Sequence, residues 1–280
     1  MSSILTNNGA MVALQTLSMI NKNLTGVQNQ ISTGKEIATA KDGSAIWATS
    51  KVMEADVAGF KAISDSLAVG EATVSVASAG AEQIVEVLNE MRELAVAATS
   101  ETADYAKIDA ELAEKEAQIL SVIGASQFNG VNLLATDADG AGGTSLTVLS
   151  SLDRVGGTAP TVSTIAVASV DFEANLDVAG RTAVADSATA QTALGEIEAF
   201  LQTAVVGAAA LGASSSRIEG QGEFIGKLTD AMKSGIGALV DANMEEASAR
   251  LQALQTQQQL GVQALSIANQ APQSILSLFR

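Results

Sequence analysis

The chain contains neither cysteine nor histidine. That removes the thiolate nucleophile, the usual zinc ligands, the serine–histidine pair and most general-base chemistry at neutral pH. Aromatic residues make up only 3% of it, so its apolar content of 47% is mostly Ala, Val and Leu, which suits close helix packing better than a bulky core. Positive charge is scarce: 15 Lys and Arg stand against 31 Asp and Glu, a net charge of −16. Nucleic acid and anionic lipid need basic surfaces and are not expected as partners. The most hydrophobic stretch, Ala204 to Ala213, is short and built largely of Ala. It falls below the ~18 apolar residues of a membrane span, so no membrane insertion is expected. Met1 to Asn8 lacks the basic and continuous apolar regions of a Sec signal peptide, and a chain that leaves the cell is expected to use another route.

Charge is also missing locally. No side chain ionises from Met1 to Asn21, or from Leu251 to Phe279. Charged residues are almost never fully buried unless paired, so two long uncharged ends in an acidic chain read as surfaces to be covered by protein.

From Ala13 the apolar residues Ala13, Leu17, Ile20, Leu24, Val27 and Ile31 are spaced alternately four and three apart, the heptad stripe of a helix facing a partner helix. Leu5, Val12 and Met19 project to a different side, so one partner would not cover this helix. Gly34 is placed to close it. Residues 35 to about 50 read as an irregular connector. Ile84, Leu88, Met91, Leu94 or Ala95, and Ala98 then form a helical face, and Thr99 to Thr102 breaks it. A second helix carries Ile108, Leu112, Ile119 and Ile123, giving a helical hairpin. From Asp137 to about Gly180 the alternation in Ser145 to Val148 and Ser163 to Val167 predicts short strands. A helical pattern then returns near Ala185 and runs to the C-terminus, where Leu251, Leu254, Val262 and Leu265 share one side and Leu260 and Ile267 the other. Ends patterned alike imply that the termini pair. The expected fold is mainly α: long paired terminal helices in a coiled coil, plus a helical rod with a small β-hairpin region.

No residue pattern points to catalysis. Asp137-Ala138-Asp139-Gly140 begins like a calcium loop but lacks the later ligands and reads as a polar turn. Gly222 and Gly226-Lys227 miss the phosphate-loop spacing. Glu111, Glu114, Lys115 and Glu116 form a solvated helix face. Asn23-Leu24-Thr25 matches the glycosylation pattern, but Leu24 lies on the seam. Trp47 reads as a loop anchor, and Pro272 as a bend in the last helix. Neither metal nor cofactor is expected.

Gln30-Ile31-Ser32-Thr33-Gly34-Lys35 with Ala40-Lys41-Asp42, then Met91 to Ala95 and Gln127 to Val131, then Ala268 to Leu276 with its Ile275 and Leu276, resemble the signatures of bacterial flagellin in the right order. Ala45-Ile46-Trp47-Ala48-Thr49 is similar to the alphaproteobacterial branch. The resemblance covers roughly residues 1 to 134 and 186 to 280. It implies an inner-core helix in 1–40, a rod segment of connector and hairpin in 41–134, a strand-rich insert in 135–184, a returning rod helix in 185–238 and a second inner-core helix in 239–280. It further implies an extracellular filament subunit exported unfolded by the flagellar type III apparatus without a cleaved Sec signal. Its partners would be other copies of itself, the cap and junction proteins and an export chaperone. Members that activate Toll-like receptor 5 resemble Asn89, Arg92 and Leu94 here, but carry a basic residue where Glu90 stands, which implies weak recognition. A hook–filament junction protein of the same family is the nearest alternative reading. A cytoplasmic signalling coiled coil and a secreted hydrolase lie further off.

Overall fold

Asn7 opens the first helix, α1 (Asn8–Thr33), its side-chain oxygen accepting from the Ala10 N–H at 3.1 Å. This satisfies one of the orphan donors at the helix start. Gly34 ends it with a left-handed φ of 70°, a conformation glycine adopts without a Cβ penalty. A computed structural model of the chain describes residues 7–154 and 160–278, with side chains described up to residue 270. Leu5 lies outside the described residues, as do the side chains of Ile275 and Leu276. The chain divides into two units, one made of its two ends up to Ala55 and from Ala231, the other of Asp56–Asp230.

In the terminal unit, α1 pairs with the last helix, α6 (Met244–Leu278). The connector after α1 is shorter than its composition suggests, because α2 (Ser44–Ala98) already begins at Ser44. Thr49 and Ser50 do not break it, since their hydroxyls donate to the Ala45 and Trp47 carbonyls at 3.0 and 2.9 Å. Trp47 is therefore helical, and half-buried.

The helical pattern that returns near Ala185 is two helices: α5 (Ser187–Val240) stops at Val240. There the Glu36 N–H donates to the Val240 carbonyl at 2.7 Å, and the Ala242 N–H to the Gly34 carbonyl at 2.9 Å. Backbone bonds to the 34–36 loop replace the helical ones. Asn243 then starts α6, accepting from the Glu245 N–H at 3.1 Å.

In the other unit, α2 and α3 (Tyr105–Ala125) form the helical hairpin. Its buried face is the expected one: Ile84, Leu88, Met91, Ala95 and Ala98 of α2 are fully buried, as are Leu112 and Ile119 of α3. Ala95 takes the position left open between it and Leu94, which is half-buried. The strands β1 (Ser145–Asp153) and β2 (Thr161–Ala168) pair antiparallel, with an irregularity between Leu149 and Ser151. The hairpin lies on α2 where glycine permits it: a Cβ on Gly70 would sit 2.6 Å from Val148 Cγ2. A one-turn helix, α4 (Phe172–Asn175), buries Phe172, and its ring occupies the space that a Cβ on Gly207 of α5 would need.

Arg181, 4% exposed, donates to Glu116 at 2.6 Å and Asp109 at 3.1 Å, clipping the segment before α5 onto α3. Among the described residues α5 alone is long and apolar enough to cross a membrane. Its apolar row Ile197, Ala204, Leu211, Ile218 and Ile225 is buried in the core.

Candidate assembly interface

Each helix of the α1·α6 pair shows two apolar flanks, and the structure separates them. On α1, Leu17, Ile20, Leu24 and Ile31 are half-buried and Val27 is buried at 7% exposure, which places the heptad stripe on α6. Val12 and Met19 stay 63% and 56% exposed, joined by Met11 and Leu14. On α6 the seam is Ala247, Leu251, Leu254, Gln258, Gly261, Leu265 and Ala268, all buried or half-buried.

Val262 is not among them. At 53% exposure it is uncovered, as Leu260 and Ile267 are at 58% and 70%, but it borders the opposite edge of the seam from them. An ideal straight helix would bring Val262 near Leu251. The pair instead follows a seven-residue repeat that uses Gly261, and Val262 falls one residue, about 100°, past it. Gly261 is easily missed in sequence because it has no side chain to score as apolar. A Cβ there would lie 3.2 Å from Leu17 Cδ1, so the glycine forms a notch for Leu17.

Polar contacts fasten the seam. The Asn7 side-chain amide donates to the Ala268 carbonyl at 2.7 Å, and the Gln258 amide donates to Asn21 Oδ1 at 2.7 Å. Lys22 and Arg250, the first charges inward of the uncharged ends, line one groove together with Gln30 and Leu254. Glu246 holds Arg250 at 2.9 Å.

The remaining singled-out residues lie in the other unit. Asn89 is exposed and donates to the Val85 carbonyl at 2.9 Å. Glu90 pairs with Lys115 of α3, and Arg92 with Glu198 of α5 at 3.2 Å. The Asp137–Gly143 loop is a polar turn. Asp139 Oδ1 accepts from the Ala141 and Gly143 N–H groups at 2.9 and 2.8 Å, and the Gly143 bond, then the Ala141 bond, holds its carboxyl below the usual value.

A seam closed within the chain beside a second, uncovered apolar flank is the pattern of a chain that packs against further protein. Comparison with known proteins agrees. The models of the bacterial flagellin N-terminal and C-terminal helical regions match residues 4–139 and 194–279. Flagellin FljK of Caulobacter vibrioides is 43% identical over 100% of this chain and 99% of its own length. A flagellin of Brucella melitensis is 40% identical over the whole of both chains, and flagellin C of Rhizobium meliloti is 36% identical over the whole of both. The crystal structure of Bacillus cereus flagellin is similar with a TM-score of 0.41 and 20% identity, over 65% of this chain and 93% of that one, too loosely to bear on the fold. The chain belongs to the bacterial flagellin family. It is a structural subunit that self-assembles into the extracellular flagellar filament for motility.

Proposed function

We propose that the two flanks of the terminal helices divide the work of assembly. Leu17, Ile20, Leu24, Val27, Ile31, Leu251, Leu254 and Leu265 close the pair within one chain. Val12, Met19, Leu260, Val262 and Ile267 meet neighbouring copies, and Leu5, Ile275 and Leu276 are assigned to the subunit interface by sequence alone. The observation that carries this is the exposure of the second flank on helices whose surface holds no charge over most of its length. Burying it releases roughly 25 cal/mol per Å², and nothing ionic must be desolvated.

On this reading residues 1–40 and 239–280 are the inner core. Residues 41–134 and 185–238 form the rod around it, and the short 135–184 insert leaves the filament surface nearly smooth. Function is mechanical and involves no catalytic step. The chain travels unfolded through the flagellar export apparatus, with an export chaperone, and is added beneath the cap above the junction proteins. Deleting Leu251–Arg280 tests the division: the remaining acidic rod is expected to stay folded by circular dichroism and to form no filaments. Filament growth by the truncated chain would refute it.

Recognition by Toll-like receptor 5 is weak on the same reading. Glu90 puts an acid, already engaged by Lys115, where activating members carry a base. A receptor-reporter assay is expected to give low potency, and full potency would end the idea.

A further inference from the structure

With no cysteine in the chain, its seven methionines hold all of its sulfur. Among the described residues they differ in access. Met91 is fully buried in the core of the helical hairpin, and Met53 and Met232 are half-buried. Met11, Met19 and Met244 are exposed. An oxidant dissolved in water meets only a thioether that water also meets, so these three are the reactive ones.

Met11 and Met19 belong to α1 and to the uncharged run Met1–Asn21. Met19 lies about two helical turns past Val12 on the same side, and Met11 is the residue before Val12. Both sit on the surface left open by the pairing with α6. Met244 differs, because it opens α6 beside Glu245 and Glu246, on a charged and hydrated surface. Hydrogen peroxide oxidises a thioether in one step. The sulfur lone pair attacks one peroxide oxygen, and the S–O bond forms as the O–O bond breaks. Sulfur gives up two electrons, and the departing oxygen takes the remaining hydrogen and leaves as water. A flexible apolar side chain thereby becomes a polar, chiral sulfoxide, which disrupts methionine-lined contacts. In water the sulfoxide oxygen keeps its hydrogen bonds, and against apolar side chains of another copy it loses them.

We propose that Met19, with Met11 near it, is an oxidation site that gates assembly. The free subunit takes up oxygen from a peroxide at the exposed thioether, and the sulfoxide is then excluded from the contact between copies. Once assembled, the neighbouring copy shields the sulfur. Damage is sorted before growth: oxidised chains are left out of the polymer, and polymer already made resists the oxidant. The proposal rests on the reading that this flank of α1 meets neighbouring copies. Burying a polar group without a partner shifts an equilibrium by roughly fivefold to a hundredfold.

Hydrogen peroxide applied to the free full-length chain and to its filaments, with sulfoxide measured peptide by peptide by mass spectrometry, tests both halves. In the free chain Met11 and Met19 are expected to oxidise roughly tenfold faster than Met91, and in filaments Met19 is expected to slow by roughly tenfold. The critical concentration of the oxidised chain is expected to rise by roughly fivefold or more. Met11→Leu with Met19→Leu is expected to keep the parent's critical concentration after the same treatment, and Met244→Leu to remain sensitive. If the double leucine chain does not polymerise, the two methionine sulfoxide reductases, one for each epimer, are applied to the oxidised parent chain, and growth is expected to return. Equal oxidation of Met19 in filaments and in the free chain overturns the covered flank, and the gate with it. Shielding in filaments together with unchanged growth of the oxidised chain overturns the gate alone. So does protection of growth by Met244→Leu, or growth that neither the double leucine chain nor the reductases restore.

Discussion

Ile267 is the sharpest place to test whether the second flank is an interface. It is 70% exposed in the single chain, so shortening it to alanine removes almost no packing there, and alanine is the better helix former. Fully burying an isoleucine is worth about 1.5–3 kcal/mol. The exposed share still to be covered on assembly is thus about 1–2 kcal/mol, a factor of about 5–30 in an equilibrium constant. The critical concentration for filament growth of Ile267→Ala is expected to rise by that factor, read by sedimenting polymer from monomer and checked by electron microscopy. The melting curve of the free chain is expected to stay within about 0.5 kcal/mol of the parent, as for an ordinary surface substitution. Leu254→Ala is the contrast, since Leu254 is half-buried on the seam and its loss should weaken the free chain as well. An unchanged critical concentration for Ile267→Ala would refute the flank as a contact surface. A large fall in the free chain's stability would show that Ile267 serves the fold instead.

Two further outcomes are expected. Gly70→Val places new methyl groups against Val148, whose Cγ2 lies 2.6 Å from the site of a Cβ; stability should fall by about 1–3 kcal/mol in thermal or urea unfolding, and adding Val148→Ala should recover part of it. An unchanged midpoint would mean that the β-hairpin does not press on α2. The Asp139 carboxyl is held below its ordinary 3.8, by the Gly143 amide and then the Ala141 amide. Its folded pKa is lower than its unfolded one, so its contribution is complete above 3.8 and is lost as pH falls through the folded value. The Gly143 amide resonance should titrate with a midpoint below 3.8, and a midpoint at or above it would contradict the turn geometry.

What the sequence by itself determined is local or periodic. The seam of α1 from Leu17 to Ile31, the buried face from Ile84 to Ala98, the strands around Val148 and Ile165 and the turn at Asp137–Gly143 each follow from side-chain spacing or from a residue bonding to its own neighbours. The uncharged ends likewise exposed the need for cover before any coordinates. Tertiary structure decided what depends on partners far along the chain. The break after Val240 is held by backbone bonds from Glu36 to Val240 and from Ala242 to Gly34, partners some 200 residues away that local sequence around 240 does not name. Val262 turns outward because the pair follows the seven-residue repeat through Gly261. Arg181 is buried because Asp109 and Glu116 meet it from another helix. Periodicity records which face of a helix is apolar. Which of two apolar faces is closed within the chain, and which stays exposed, is set by the approach of two segments from opposite ends of the sequence.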